Sequence, residues 1–159
     1  MSVTRNVFFV DARISNIQSL VSTLPSFSEW FVLDADEDGI EQISSILSGY
    51  TDIDTIQIIS HGAPGALYLG NITLDHDTLY RYAGQFGQIG ASLSEKGDIL
   101  LYGCNIGEGV VGQIFLSSLS ELTGADIAST LAISGRRGQL IQQAFPVPLG
   151  NNEGVRVCG

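Results

Sequence analysis

Apolar runs of strand length alternate along this chain with segments whose apolar residues recur at helical spacing, and that alternation constrains the fold more than any other feature. Strand, helix, strand in regular order is the rhythm of a parallel sheet with helices on both faces. Five strands can be read: Val7 to Asp11, Trp30-Phe31-Val32-Leu33, a run from Thr55 to Ile59 that stops at His61, Ile99 to Tyr102, and Ala125 to Ser129. Between them, Ile14, Ile17, Leu20, Val21 and Leu24 mark a first helix that Pro25 ends, and Ile40, Ile43, Ile46 and Leu47 mark a second closed by Gly49. Gly62-Ala63-Pro64-Gly65 turns the chain into a hairpin, Leu67 to Leu69 against Ile72 to Leu74 around Gly70-Asn71. A third helix is expected from about Asp75 to Leu93, interrupted in promise by Gly84, Gly87 and Gly90, and a fourth from about Val110 to Leu122 with Gly124 as its stop. The pattern predicts an α/β fold, a three-layer α/β/α sandwich with a mostly parallel sheet, over residues 1–133. Residues 134–159, with Gly135-Arg136-Arg137-Gly138 and Pro146-Val147-Pro148, read as an irregular tail.

At 159 residues, 44% of them apolar and 15% charged, the chain has the material for one packed core. Its net charge of -10 repels phosphate backbones and anionic lipid surfaces, which argues against a nucleic-acid partner. The opening Met1 to Asp11 has too short an apolar run for a signal peptide, and nothing approaches the roughly 20 apolar residues of a membrane span, so no membrane insertion is expected. Cys104 and Cys158 lack the spacing of a disulfide framework, and Cys158, beside the carboxyl terminus, reads as an incidental thiol.

Chemistry is suggested by two strand ends. In an open parallel sheet, binding and catalysis gather beyond the carboxyl ends of the strands. Here Ile58-Ile59-Ser60-His61-Gly62 and Leu100-Leu101-Tyr102-Gly103-Cys104-Asn105 would bring an imidazole and a thiol to one crevice. A thiol is mostly protonated at neutral pH and needs a base beside it to act as a nucleophile, which casts Cys104 as nucleophile and His61 as base. Gly62 and Gly103 flank the pair, and the Gly62 and Cys104 amides are candidates to hold an oxyanion. The bland alternative makes Cys104 a small buried hydrophobe and His61 a satisfied residue of a glycine-rich turn. His76, among carboxylates at a helix start, reads as solvated.

The two blocks resemble the apolar-run-His-Gly and apolar-run-Cys signatures of the caspase-like cysteine peptidases, the clan of clostripain, gingipain, separase and the self-cleaving domains of large bacterial toxins. The local caspase cysteine signature is absent, with Tyr102-Gly103-Cys104-Asn105-Ile106-Gly107 in its place. A closer resemblance is to an uncharacterised bacterial domain found near the amino terminus of very large secreted or surface proteins of adhesin type, with cadherin-like or calcium-binding repeats. Phe9-Val10-Asp11, Leu33 to Ile43, Ile59 to Gly65, Leu100 to Asn105 and Leu122 to Ala128 carry it, from about residue 6 to residue 130. The resemblance implies a caspase-like fold, export to the bacterial surface or medium, and peptide-bond cleavage by His61 and Cys104, with Asn105 on the substrate side. The substrate would be a peptide or protein, the parent chain included. The competing function is a catalytically silent module of the same fold that binds a partner.

Asp34, Asp36, Asp38 and Gly39 match the first half of a calcium loop, but Ser45 stands where a bidentate Glu is needed. Asp38 before Gly39-Ile40-Glu41 serves equally as a helix N-cap, and that reading is preferred to a metal. Asp11 and Asp34, just beyond their strands, are candidates to recognise a basic side chain of a substrate. The rival reading leaves them as solvated strand-end carboxylates.

Overall fold

The computed structural model describes residues 5–22, 24, 28–103, 105–129 and 133–134. A six-stranded sheet forms the middle layer, in the order β2 (Glu29–Leu33), β1 (Asn6–Asp11), β3 (Ile53–Ile59), β7 (Leu93–Tyr102), β8 (Asp126–Ser129), β9 (Ile133–Ser134). All neighbours run parallel except β9, which is antiparallel to β8. This is the mostly parallel α/β architecture that the apolar rhythm predicts. Successive side chains of a strand point to opposite faces, and β1, β3, β7 and β8 are apolar on both, so each of these four strands feeds two cores. In β1, Val7 and Phe9 enter one core, while Phe8 and Val10 enter the other. In β7, Ile99 and Leu101 face the first, and Leu100 and Tyr102 the second.

The first face is covered by α2 (Gly39–Leu47), α4 (Ala83–Ala91) and α5 (Gly109–Thr123), which bury Ile40, Ile43, Leu47, Phe86, Ile89, Phe115, Leu116 and Leu119 against it. On the second face, α1 (Ile17–Val21) buries Leu20 beside Ile14. The α2 helix starts where Asp38 accepts the Ile40 and Glu41 N–H groups, so the N-cap reading of Asp38 holds. The α5 helix stops at Gly124, which takes φ +73° and gives its N–H to the Ser120 carbonyl. No helix among the described residues is long and apolar enough to cross a membrane.

Three elements depart from the periodicity. The first helix is shorter than its apolar repeat, because the Arg13 and Ile14 N–H groups turn back onto the Asp11 side chain and carbonyl, and helix begins only after Asn16. The segment 75–93 breaks into α3 (His76–Leu79), a 3-10 turn (Tyr80–Tyr82) and α4, and β7 is already under way at Leu93. Gly90 belongs in α4 for a packing reason: a Cβ there would overlap the Thr123 carbonyl at the end of α5. The hairpin of β5 (Ala66–Leu69) and β6 (Ile72–Asp75) forms as expected, but it gains a third strand, β4 (His61–Ala63), antiparallel to β5. His61 is therefore the first residue of a second small sheet, paired with Tyr68, and not a bare strand end.

The strand order reverses between β1 and β3. Such a switch point opens a crevice at the carboxyl ends of the two strands, since the connections leave them on opposite faces.

Candidate functional site

Asp11 closes β1 at the mouth of this crevice, and His61 follows β3 across it. The Asp11 side chain is fully buried. Its Oδ1 accepts the Arg13 backbone N–H and Nε–H, both at 2.9 Å, and its Oδ2 accepts Arg13 Nη2–H at 3.1 Å and the Gly70 N–H at 2.8 Å. Burial by itself would raise the carboxyl's pKa, but the hydrogen bonds from the Arg13 side chain and backbone and from Gly70, with the guanidinium charge, together hold it below its ordinary value. The same pairing raises Arg13 above its own ordinary value. The basic group that Asp11 holds is thus the chain's own Arg13, whose side chain remains 46% exposed at the mouth.

This clamp reaches the imidazole. His61 Nε2 lies 3.3 Å from the Arg13 carbonyl oxygen. A carbonyl can only accept, so the contact requires the proton on Nε2 and, in the neutral ring, leaves the lone pair on Nδ1. The ring is half-buried.

The strand that leads to Cys104 lies directly beside β3. Ile56 to Ile59 pair in register with Ile99 to Tyr102, and the Ser60 N–H continues the ladder to the Tyr102 carbonyl at 3.0 Å. Cys104 itself lies outside the described residues, as does Cys158. Beyond it Asn105 is exposed, in the left-handed conformation (φ 58°). An Asn tolerates that conformation better than most residues, and its carbonyl accepts the Glu108 N–H at 3.1 Å to close the turn into α5.

Ile106 is a residue the sequence does not announce. It is fully buried and locks the two loops together: its carbonyl accepts the Gly65 N–H at 2.8 Å, and its side chain fills the space beside Gly62 and Gly103. A Cβ on Gly62 would stand 2.9 Å from Ile106 Cγ1, and one on Gly103 would overlap Ile106 Cδ1. Gly62 is thus hemmed in by the Ala66 carbonyl as well as by Ile106, and Gly103 chiefly by the end of the Ile106 side chain, whatever their amides do in addition.

The acidic loop forms a neighbouring unit. Asp34 is exposed, and its Oδ1 accepts the Asp36 N–H at 2.8 Å. Asp38, besides capping α2, accepts the Tyr82 hydroxyl at 2.7 Å, and burial followed by this carboxylate pushes the phenol up to about 12. The Gln42 amide occupies the middle of the loop: Nε2–H donates to the Asp34, Glu37 and Asp38 carbonyls at 3.0, 3.2 and 3.3 Å, and Oε1 accepts the Asp34 N–H at 2.7 Å. No group of three or more His, Cys, Asp or Glu side chains among the described residues is placed to hold a metal ion. Instead the loop grips the hairpin turn: the Asn71 N–H donates to the Glu37 carbonyl and the Asn71 side chain to the Asp36 carbonyl, at 2.9 and 3.0 Å. Gly70, at φ +60°, comes so close that a Cβ would overlap the Glu37 carbonyl. Asp11 and Asp34 therefore serve different partners, Asp11 the hairpin and Arg13, Asp34 its own loop.

Arg13 and Gly70 were not legible as partners of Asp11 in equal measure. Asp11-Ala12-Arg13 is at least a local pairing of opposite charges, whereas Gly70 is 59 residues away.

Comparison with known proteins adds a family. The model of a family described as "Domain of unknown function (DUF4347)" matches residues 7–139. No curated protein matches the chain. A solved structure described as "Crystal structure of a small-chain dehydrogenase" aligns with a TM-score of 0.42 and 12% identity, covering 79% of this chain and 81% of its own. That likeness is too slight to transfer fold or activity.

Proposed function

Because this chain belongs to the DUF4347 family, whose description assigns no activity, we propose a function from the site itself: a cysteine peptidase with His61 as base and Cys104 as nucleophile. The observation that carries the reading is the register of β3 and β7. The two strands run parallel side by side and pair through Ile59 and Tyr102, each two residues before a reactive side chain in the sequence. Support also comes from the anchored ring, since a base is effective only when its lone pair is aimed.

In this reading His61 Nδ1 takes the Cys104 thiol proton, and the sulfur adds to the scissile carbonyl carbon. The resulting oxyanion is held by backbone N–H groups, with Gly62 and Cys104 as the candidates. Collapse breaks the C–N bond, and the amine leaves with the proton from His61. A water that gives its proton to His61 then hydrolyses the thioester, which frees the carboxylate product and restores the thiol. Asn105, exposed at the head of the loop after Cys104, is a candidate to touch the peptide. A larger exported parent chain is the first substrate to try.

A second reading, a catalytically silent binding module, draws on two observations. Ile106 packing accounts for Gly62 and Gly103 without reference to catalysis, and α5 exposes Val110, Val111 and Ile114 immediately after the Cys104 loop.

The test is thiol alkylation read at each cysteine by peptide mass. The peptidase reading expects Cys104 to be modified faster than Cys158 below pH 8, and His61→Ala to abolish the difference. Equal rates at the two cysteines in the unaltered protein would favour the silent module.

A further inference from the structure

Asp11 is the most deeply buried ionisable side chain near the crevice, and peptide cleavage as written makes no use of it. Its placement is nonetheless specific. One carboxylate ties the end of β1 and the adjoining turn at Arg13 to a piece of backbone remote in sequence, the hairpin turn at Gly70. Gly70 is in turn seated on the acidic loop through the Glu37 and Asp38 backbone, where Asp38 and Gly70 form a β-bridge. The clamp is therefore anchored on the acidic loop, and what it fixes is the position of Arg13.

The Arg13 carbonyl is the group that meets His61 Nε2. Its position depends on the turn, and the turn is held by the Arg13 N–H and the guanidinium, both bonded to Asp11. We propose that Asp11 is a positioning residue: by clamping the 11–14 turn to the β5–β6 hairpin, it holds the Arg13 carbonyl against His61 Nε2 and so fixes the imidazole for its role as base, a role that rests on the peptidase reading above. The buried carboxylate acts through backbone and not by touching the ring or the substrate.

Asp11→Asn preserves shape but replaces one acceptor oxygen by a donor amide, which in either orientation faces a guanidinium N–H together with a backbone N–H, that of Arg13 or that of Gly70, all of them donors. The experiment uses the full chain with nitrogen-15 histidine and follows the two imidazoles by NMR, with His76 as reference in the same spectrum. The measurement is made beside the Cys104 alkylation rate and a circular-dichroism check of folding. The expected result for folded Asp11→Asn is loss of the protected His61 Nε2–H signal, unchanged His76 signals, and Cys104 alkylation slowed by roughly tenfold or more, the range expected when a base is misaimed. A folded variant whose His61 signals match those of the unaltered protein overturns the proposal, whatever the thiol does. If Asp11→Asn does not fold, Arg13→Ala decides: it keeps the carbonyl and the backbone N–H bond but removes the guanidinium. Weakened protection of His61 Nε2–H supports the clamp, and none overturns it. His61→Ala separates the two claims. If it leaves Cys104 alkylation unchanged the peptidase reading fails, while the response of the His61 signals to Asp11→Asn still decides whether Asp11 positions the ring.

Discussion

Substituting Gly103 by Ala should destabilise the protein chiefly through one atom, and a second substitution should relieve it. A Cβ at Gly103 would overlap Ile106 Cδ1, with Ile106 Cγ1 next at 3.0 Å and the Ser60 carbonyl at 3.2 Å. Overpacking of this kind costs about 1–3 kcal/mol. Ile106→Val deletes Cδ1 and by itself costs about 0.5–1.5 kcal/mol, the usual loss of one buried methyl. In the double variant the new methyl enters the space that Cδ1 vacated, so the total should fall below the sum of the singles by about 1 kcal/mol or more, within the range measured for residues in contact. Gly62→Ala supplies the control. Its Cβ would meet Ile106 Cγ1 and the Ala66 carbonyl, both at 2.9 Å, ahead of Cδ1 at 3.3 Å, and Ile106→Val removes neither of the closer atoms. Urea unfolding of the five variants and the unaltered protein would give the two cycles. Additivity for Gly103 and Ile106 within about 0.5 kcal/mol would refute the claim that Ile106 dictates the glycine before Cys104.

The Asp11 carboxyl is held below its ordinary value in the folded protein, so the folded state binds fewer protons than the unfolded one as acid is added. Its stabilisation is fully present above the unfolded value near 3.9 and is lost as pH falls through the lower folded value. Unfolding titrations should accordingly show stability falling below about pH 4, more weakly in Asp11→Asn, and parallel acid limbs would count against the clamp. The three glycines of α4 should part company: Gly84 and Gly87 have open space around a Cβ, and Ala at either should stabilise by about 0.4–1 kcal/mol, whereas Gly90→Ala should destabilise by more than that because of the Thr123 carbonyl. Equal melting temperatures for Gly87→Ala and Gly90→Ala would contradict the close approach of α4 and α5. With the Gln42 amide bonded to three carbonyls of the 34–38 loop, millimolar calcium should leave the melting temperature unchanged, and a rise that scales with occupancy would show that the loop opens to a cation.

Much of the sheet was legible because a parallel strand buried on both faces is apolar at nearly every position, and that signal needs no partner to be read. Val7 to Val10 and Ile99 to Tyr102 are such runs. The hairpin at Gly70-Asn71, the cap at Asp38 and the stop at Gly124 were legible for a similar reason: each is set by the conformational preference of one or two residues. Where the reading slipped, hydrogen bonding or packing had overridden the apolar period. The first helix begins late because the Asp11 carboxylate captures Arg13, and the long helix after Asp75 breaks between Leu79 and Ala83 although the glycines lie further on. Likewise the packing role of Gly62 and Gly103 could not be read from the sequence, because Ile106, which fills the space beside both, is brought there by the fold.

By itself, then, the amino-acid order determined the layer architecture, the strands that carry His61 and Cys104, and the chemical types available at their ends, since all of these follow from periodicity and from properties single residues carry with them. Tertiary structure alone decided that β3 lies beside β7 in a register that ends both strands together, that the Asp11 carboxylate reaches the Gly70 N–H, and that the Arg13 carbonyl meets the imidazole. Those facts depend on distances between residues dozens of positions apart. Such distances are settled only when the two apolar faces of the sheet are buried at once and the buried polar groups find partners among whatever backbone the packing has brought within reach.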